Sequence, residues 1–197
     1  GHWHPHVHNE RAFWNALLNQ IDGIRLSVRG IREVNPRARL IQTDDLGRTW
    51  ATVPLRHQPA FDNSRRWMSW DLLCGMVLPE HALWDRLARL GFADRLRVIA
   101  DDPCPPDVIG INHYLTSDRF LDHRLRRYPP DAAGGNNEQR YADVAAVRVL
   151  DPPPAGLRGA LQDAWSRYGI PLAATEVHNG CTREEQMRWM AEAWAIS

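Results

Sequence analysis

Lysine is missing from this chain. All 24 basic side chains are arginines, matched by 24 carboxylates, so the formal charge at pH 7 is zero. Without a lysine amine there is no P-loop, no Schiff base and no carbamylated-lysine bridge between metals. Zero net charge supplies no field to draw in nucleic acid or an anionic membrane surface. Cysteine is sparse: Cys74, Cys104 and Cys181 are widely spaced and odd in number, which fits reduced thiols rather than a disulfide framework. No apolar run approaches the roughly 18 residues of a membrane span, and no signal peptide is visible. Repeats and low-complexity tracts are absent too. These absences lead to the expectation of a cytoplasmic globular protein with neither nucleic-acid nor membrane partners.

What is present begins with histidine. His2, His4, His6 and His8 alternate at the start, a spacing that puts imidazoles on one face of an extended chain. Pro5 breaks the regularity and no cysteine or carboxylate completes a ligand set. A polar loop is therefore favoured over a metal site, and no metal or cofactor is expected. Asn9 then caps a helix marked by Phe13, Trp14, Leu17, Leu18, Ile21, Ile24, Val28 and Ile31 at three- and four-residue steps. Asn35-Pro36 stops it, because the residue before proline avoids the helical region.

A strand over 38–43 follows, ending in Asp44-Asp45-Leu46-Gly47, which reads either as a turn or as carboxylates of a site. From Arg48 to Asp102 the chain makes a long excursion with helical pieces around Trp67–Val77, Leu83–Leu90 and Ala93–Ala100. A second strand, 107–112, runs into His113-Tyr114-Leu115-Thr116-Ser117. Residues 118–154 read as loop. Leu157, Leu161, Ala164, Trp165 and Tyr168 form the next helix, closed by Gly169. A third strand, 172–176, ends in Glu176-Val177-His178, and a last helix starts near Thr182.

Strands alternating with helices predict an α/β fold with a parallel sheet. All three polar clusters fall just after strands, where a β/α barrel builds its active site. Three strands cannot close a barrel. The chain also starts in a loop and ends in a helix, so the expectation is a single incomplete domain over 1–197, cut at both ends.

Two motifs resemble glycoside hydrolase family 1, the β-glucosidase-like enzymes. Ile109-Gly110-Ile111-Asn112-His113-Tyr114-Leu115-Thr116-Ser117 is similar to that family's Gly-x-Asn-Tyr-Tyr-Thr segment on strand 6. Ala174-Thr175-Glu176-Val177-His178-Asn179-Gly180 is similar to its Thr-Glu-Asn-Gly segment on strand 7, interrupted here by Val177-His178. The same stretches also resemble a divergent branch in which such a domain is joined to a reductase similar to dTDP-4-dehydrorhamnose reductase.

The resemblance implies a partial (β/α)8 TIM barrel, about strands 5 to 7 with their helices. It makes Glu176 the nucleophile of a retaining O-glycoside hydrolase, with Tyr114 orienting it and Asn112 polarising the site. His178 and His113 become substrate contacts, and a carbohydrate becomes the substrate. The family's acid/base glutamate falls ahead of residue 1, so on this expectation the chain alone is a poor catalyst. Of nine tryptophans, most sit at helical spacing; Trp3 and Trp50, in loops, are the better sugar contacts. The competing expectation is a non-catalytic sugar-binding or structural barrel attached to a nucleotide-sugar reductase.

Overall fold

In the computed structural model, residues 6–136, 138–178 and 180–197 are described. Contact density divides the chain into two compact units that interleave in sequence: Gly1–Leu40 with Trp67–Asp107, and Ile41–Arg66 with Val108–Ser197.

The first unit is helical among its described residues. Helix α1, Glu10–Val34, starts where Asn9 Oδ1 accepts from the Ala12 N–H at 3.0 Å, and it ends at Asn35. Its buried stripe is Trp14, Leu18, Ile21 and Arg25, narrower than the sequence stripe, since Phe13 and Ile31 face solvent. The buried guanidinium of Arg25 is satisfied by the Asp102 carbonyl and carboxylate, at 2.7 and 2.8 Å, and by Asp22 at 3.2 Å. Helix α2, His57–Arg65, belongs to the second unit and carries no buried residue. Helix α3, Met68–Leu73, is buried on every side. It stops short of Val77 because Gly75 turns into the left-handed region at φ +70°. Helices α4, Trp84–Arg89, and α5, Ala93–Asp101, complete this unit. Asp71, fully buried, takes a hydrogen bond from His81 Nε2 at 3.1 Å, the proton assigned there because His81 Nδ1 accepts from the Leu83 N–H.

The second unit holds both sheets. Strands β1, Ile41–Asp45, β3, Val108–Tyr114, and β7, Leu172–His178, form a parallel sheet in the order β1-β3-β7. Its reverse face, with Ile109 and Ile111 at its centre, packs against helices α6, Gly156–Tyr168, and α7, Arg183–Ile196. Gly169, at φ +62°, closes α6 as the sequence predicts. A capping box between Thr182 and Glu185 opens α7.

Where the sequence reads 118–154 as loop, the structure has strands. Here β4, Arg119–Asp122, β5, Ala133–Gly135, and β6, Arg140–Ala145, join β2, Thr49–Ala51, in a second sheet ordered β2-β4-β6-β5. It is mixed: β2 and β4 run parallel, while β6 is antiparallel to both its neighbours. These strands are three to six residues long, too short to show a clear alternation, and β2 and β4 are joined only through distant sequence. Leu55, Leu121 and Tyr141 form their core. Beside it the buried Asp122 carboxylate gathers Arg124 Nε and Nη2, at 2.9 and 2.7 Å, and the Tyr128 hydroxyl at 3.0 Å. The fold is thus mixed α/β, and neither sheet closes into a barrel among the described residues.

Candidate active site

The C-terminal edge of the parallel sheet carries the polar groups. In register across it lie Asp45 on β1, Asn112 on β3 and Glu176 on β7. Neighbouring strands run about 4.8 Å apart, so this row spans two such steps.

Strand β7 reaches this register through a bulge. Ile111 pairs with Ala174, but the next residue, Asn112, pairs with Glu176, leaving Thr175 as the extra residue. Two consecutive side chains of β7 then face the same side of the sheet. Thr175 Oγ1 donates to Asn112 Oδ1 at 2.7 Å. Two residues beyond Asn112, on the same face, the Tyr114 hydroxyl donates to Glu176 Oε2. Gly110 keeps this face level, since a Cβ there would stand 2.6 Å from the Thr43 methyl and 3.0 Å from the Thr175 side chain. The front face therefore presents Thr43, Asp45, Asn112, Tyr114, Thr175, Glu176 and His178, a run of polar groups.

Charge shapes the protonation of this face. The bond to Glu176, then loss of hydration, and then the negative charges of Glu176 and Asp45 push the Tyr114 phenol up to about 12. Tyr114 is thus a proton donor to Glu176 throughout the neutral range. Asp45 is exposed at the strand end, yet the protein atoms crowded round its carboxyl displace enough water to raise it above its ordinary value, with Asp118 and Glu176 adding repulsion. A hydrogen bond from Ser117 and the His113 charge oppose that rise. The Ser117 position is fixed by the turn 114–117: its Oγ accepts from the Tyr114 N–H at 3.0 Å, and its own N–H donates to the Tyr114 carbonyl at 3.0 Å. Gly47 passes so close that a Cβ there would lie 1.9 Å from the Ser117 carbonyl, leaving room for no other residue.

The structure sorts the residues singled out in the sequence. Glu176, Tyr114 and Asn112 come together on the front face. His178 joins them, its ring edge-on to Tyr114 with centroids 6.5 Å apart. His113 does not: successive strand residues point to opposite faces, and it lies on the reverse side, 2% exposed. There its Nδ1 meets the Leu46 carbonyl at 2.9 Å and its ring lies near Trp189. Trp50 is half-buried in β2, under the Arg48 guanidinium, in a hollow shared with Arg66 and Asp163. Trp3 lies outside the described residues, as do His2 and His4; His6 and His8 are exposed. Among the described residues no three His, Cys, Asp or Glu side chains gather as a metal-binding set, and no helix is long and apolar enough to cross a membrane.

Asp45, Thr175 and Ser117 are the members that sequence reasoning missed or left undecided. The pair Asp44-Asp45 splits across the sheet, and only the register with Asn112 brings Asp45 to the front. The bulge that turns Thr175 forward has no signal in the sequence. Compared with known protein families and with curated proteins, the chain matches none.

Proposed function

We propose that the front face is part of the active site of a retaining O-glycoside hydrolase of the β-glucosidase-like kind, with Glu176 as nucleophile. The single observation that carries this is the Tyr114 hydroxyl donating to Glu176 at the C-terminal edge of a parallel sheet. It fits the roles that the resemblance to glycoside hydrolase family 1 gives both residues. On this reading the three parallel strands are a segment of a (β/α)8 barrel, and the polar front face is its lumen side. Support for that comes from the side chains: a parallel sheet is ordinarily covered on both faces, and here the uncovered one is polar.

In this mechanism one Glu176 oxygen attacks the anomeric carbon as the bond to the leaving oxygen breaks. That oxygen takes its proton from an acid carboxyl, which the resemblance assigns to a segment ahead of residue 1. Water then cleaves the glycosyl ester, returning Glu176 to a carboxylate. Tyr114, protonated throughout, holds the other carboxylate oxygen so that the attacking one is presented to the sugar. Asn112, its carbonyl oxygen committed to Thr175, turns its amide nitrogen toward sugar hydroxyls.

A 2-fluoro glycoside that traps covalent glycosyl-enzymes tests the reading. In the full-length protein the label is expected on Glu176, and Glu176→Gln is expected to abolish labelling and turnover of an aryl glycoside. Retained turnover in Glu176→Gln ends the nucleophile role. Sugar binding without labelling or turnover identifies instead a non-catalytic sugar-binding barrel, of the kind joined to a nucleotide-sugar reductase.

A further inference from the structure

Behind the parallel sheet, within the second unit, lies a cavity of about 240 Å³. Its wall includes His113 of β3, Gly156 and Leu157 at the start of α6, and Trp189 and Ile196 of α7. Val147 and Glu192 also belong to the wall and are exposed, so a small molecule has a way in.

Two polar groups of this wall are unused. His113 is almost wholly buried, and its Nδ1 meets the Leu46 carbonyl at 2.9 Å. A carbonyl only accepts, so Nδ1 carries a proton and Nε2 of the neutral ring carries a lone pair. Nε2 lies toward the cavity: a Cβ added to Gly156, another wall residue, would stand 3.8 Å from it. Among the described residues nothing hydrogen-bonds to Nε2. Trp189 lies beside His113, with ring centroids 6.4 Å apart and planes 29° apart. Its Nε1–H is buried, again with no partner among the described residues. An acceptor and a donor on neighbouring rings thus lack the hydrogen bonds that burial ordinarily demands.

Most of the remaining wall is aliphatic: Leu115, Val147, Pro153, Pro154, Leu157 and Ile196. No arginine lines it, and its two carboxylates, Asp118 and Glu192, repel an anion. They do not draw an ammonium inward either. Asp118 Oδ1 is committed to the Arg48 N–H at 2.7 Å, and Glu192 is screened by water. Water answers the two polar groups but gains nothing from the aliphatic wall, and a hydrocarbon does the reverse. An aromatic ring bearing one hydroxyl uses both. That hydroxyl donates to Nε2 of the neutral imidazole, accepts from it when the ring is protonated, and accepts from an indole N–H in either state.

We propose that this cavity is a binding site for a small, uncharged aromatic alcohol. His113 Nε2 and Trp189 Nε1 take its hydroxyl, and the aliphatic wall takes its ring. The site lies on the reverse face of β3 and does not depend on the proposed role of Glu176.

The test uses para-cresol and para-xylene, two molecules of nearly one shape that differ by the hydroxyl. In the full-length protein, titration calorimetry is expected to give one site for para-cresol and at least about tenfold weaker binding of para-xylene. Nitrogen NMR of the imidazoles is expected to show one Nε2 resonance moving as para-cresol is added, assigned to His113 by its loss in His113→Phe. That variant is also expected to reduce the preference for cresol over xylene by about threefold or more. Val147→Trp, at an exposed wall position, fills the space and is expected to weaken both ligands about tenfold with the fold kept. Should His113→Phe fail to fold, the cresol–xylene comparison and Val147→Trp decide alone. Equal affinity for the two molecules in the wild type, an unmoved His113 resonance, or undiminished binding in Val147→Trp overturns the proposal. So does tighter binding of para-toluate or para-methylbenzylamine than of para-cresol, or no binding of para-cresol at millimolar concentration.

Discussion

Tyr114 and Glu176 set each other's state. On the proposed role of Glu176 as nucleophile, removing the hydroxyl in Tyr114→Phe leaves its carboxylate free to rotate, and kcat on an aryl glycoside is expected to fall roughly tenfold to a hundredfold with the fold intact by circular dichroism. The reciprocal effect is read by absorbance titration. The Tyr114 phenol, obtained as the difference between wild type and Tyr114→Phe, is expected to ionise at about 12, and Glu176→Gln to bring it back toward 10. Because the folded value lies above the unfolded one, the associated stability is complete below pH 10 and is lost as pH rises through about 12. At this scale the sequence was informative where a motif names the residue type and its strand position, as for Glu176, Asn112 and Tyr114. It was uninformative where facing decides. His113 sits between Asn112 and Tyr114 in sequence, and the pleat sends it to the other side of the sheet.

Helix α1 was legible because 25 residues give seven turns of periodicity, a stop at Asn35-Pro36 and a capping asparagine. The burial within it is uneven, and that is testable. Leu18→Ala, at a fully buried position, is expected to cost about 3 kcal/mol in urea denaturation. Leu26→Ala, 66% exposed on the same helix, is expected to cost less than about 0.5 kcal/mol. The second sheet was invisible in sequence because its strands are short and are selected by tertiary partners rather than by pattern. Asp122 is one of those partners. Hydrogen bonds from Arg124 hold its carboxyl well below the ordinary aspartate range, against the opposing effect of burial, with Tyr128 assisting. Its contribution is therefore present above the usual value near 3.9 and is lost as pH falls through the lower folded one. Asp122→Asn is expected to melt lower at pH 7 and to show a flatter decline of melting temperature below pH 4 than the wild type.

Taken as a whole, the chain has two units of different character, one helical and one built on two sheets. The second leaves much apolar surface uncovered: Met187, Met190 and Trp194 at 58, 46 and 79% exposure along one side of α7, and Trp165 at 57% on α6. Patches of this kind drive association in water, and zero net charge at pH 7 supplies no repulsion against it. The 197-residue chain is expected to self-associate with rising concentration in analytical ultracentrifugation, and Met187→Glu with Trp194→Glu to shift it toward monomer. Unchanged association in that double variant would place the contact elsewhere. The α/β class was readable from strand–helix alternation. The division into two units was not, because each unit takes two separate stretches of chain, and no composition shift marks the crossings at Leu40, Arg66 and Asp107.

The bulge at Thr175 has a consequence for how densely chemistry can be arranged along a strand. A regular strand offers a given face one side chain about every 6.6 Å, a stride longer than the gap between neighbouring hydroxyls on a sugar ring. By turning Thr175 and Glu176 forward in succession, β7 delivers a hydroxyl and a carboxylate within a single residue's rise. On the proposed glycosidase reading, one strand thereby offers groups to two adjacent positions of a small substrate, work that would otherwise need a second strand.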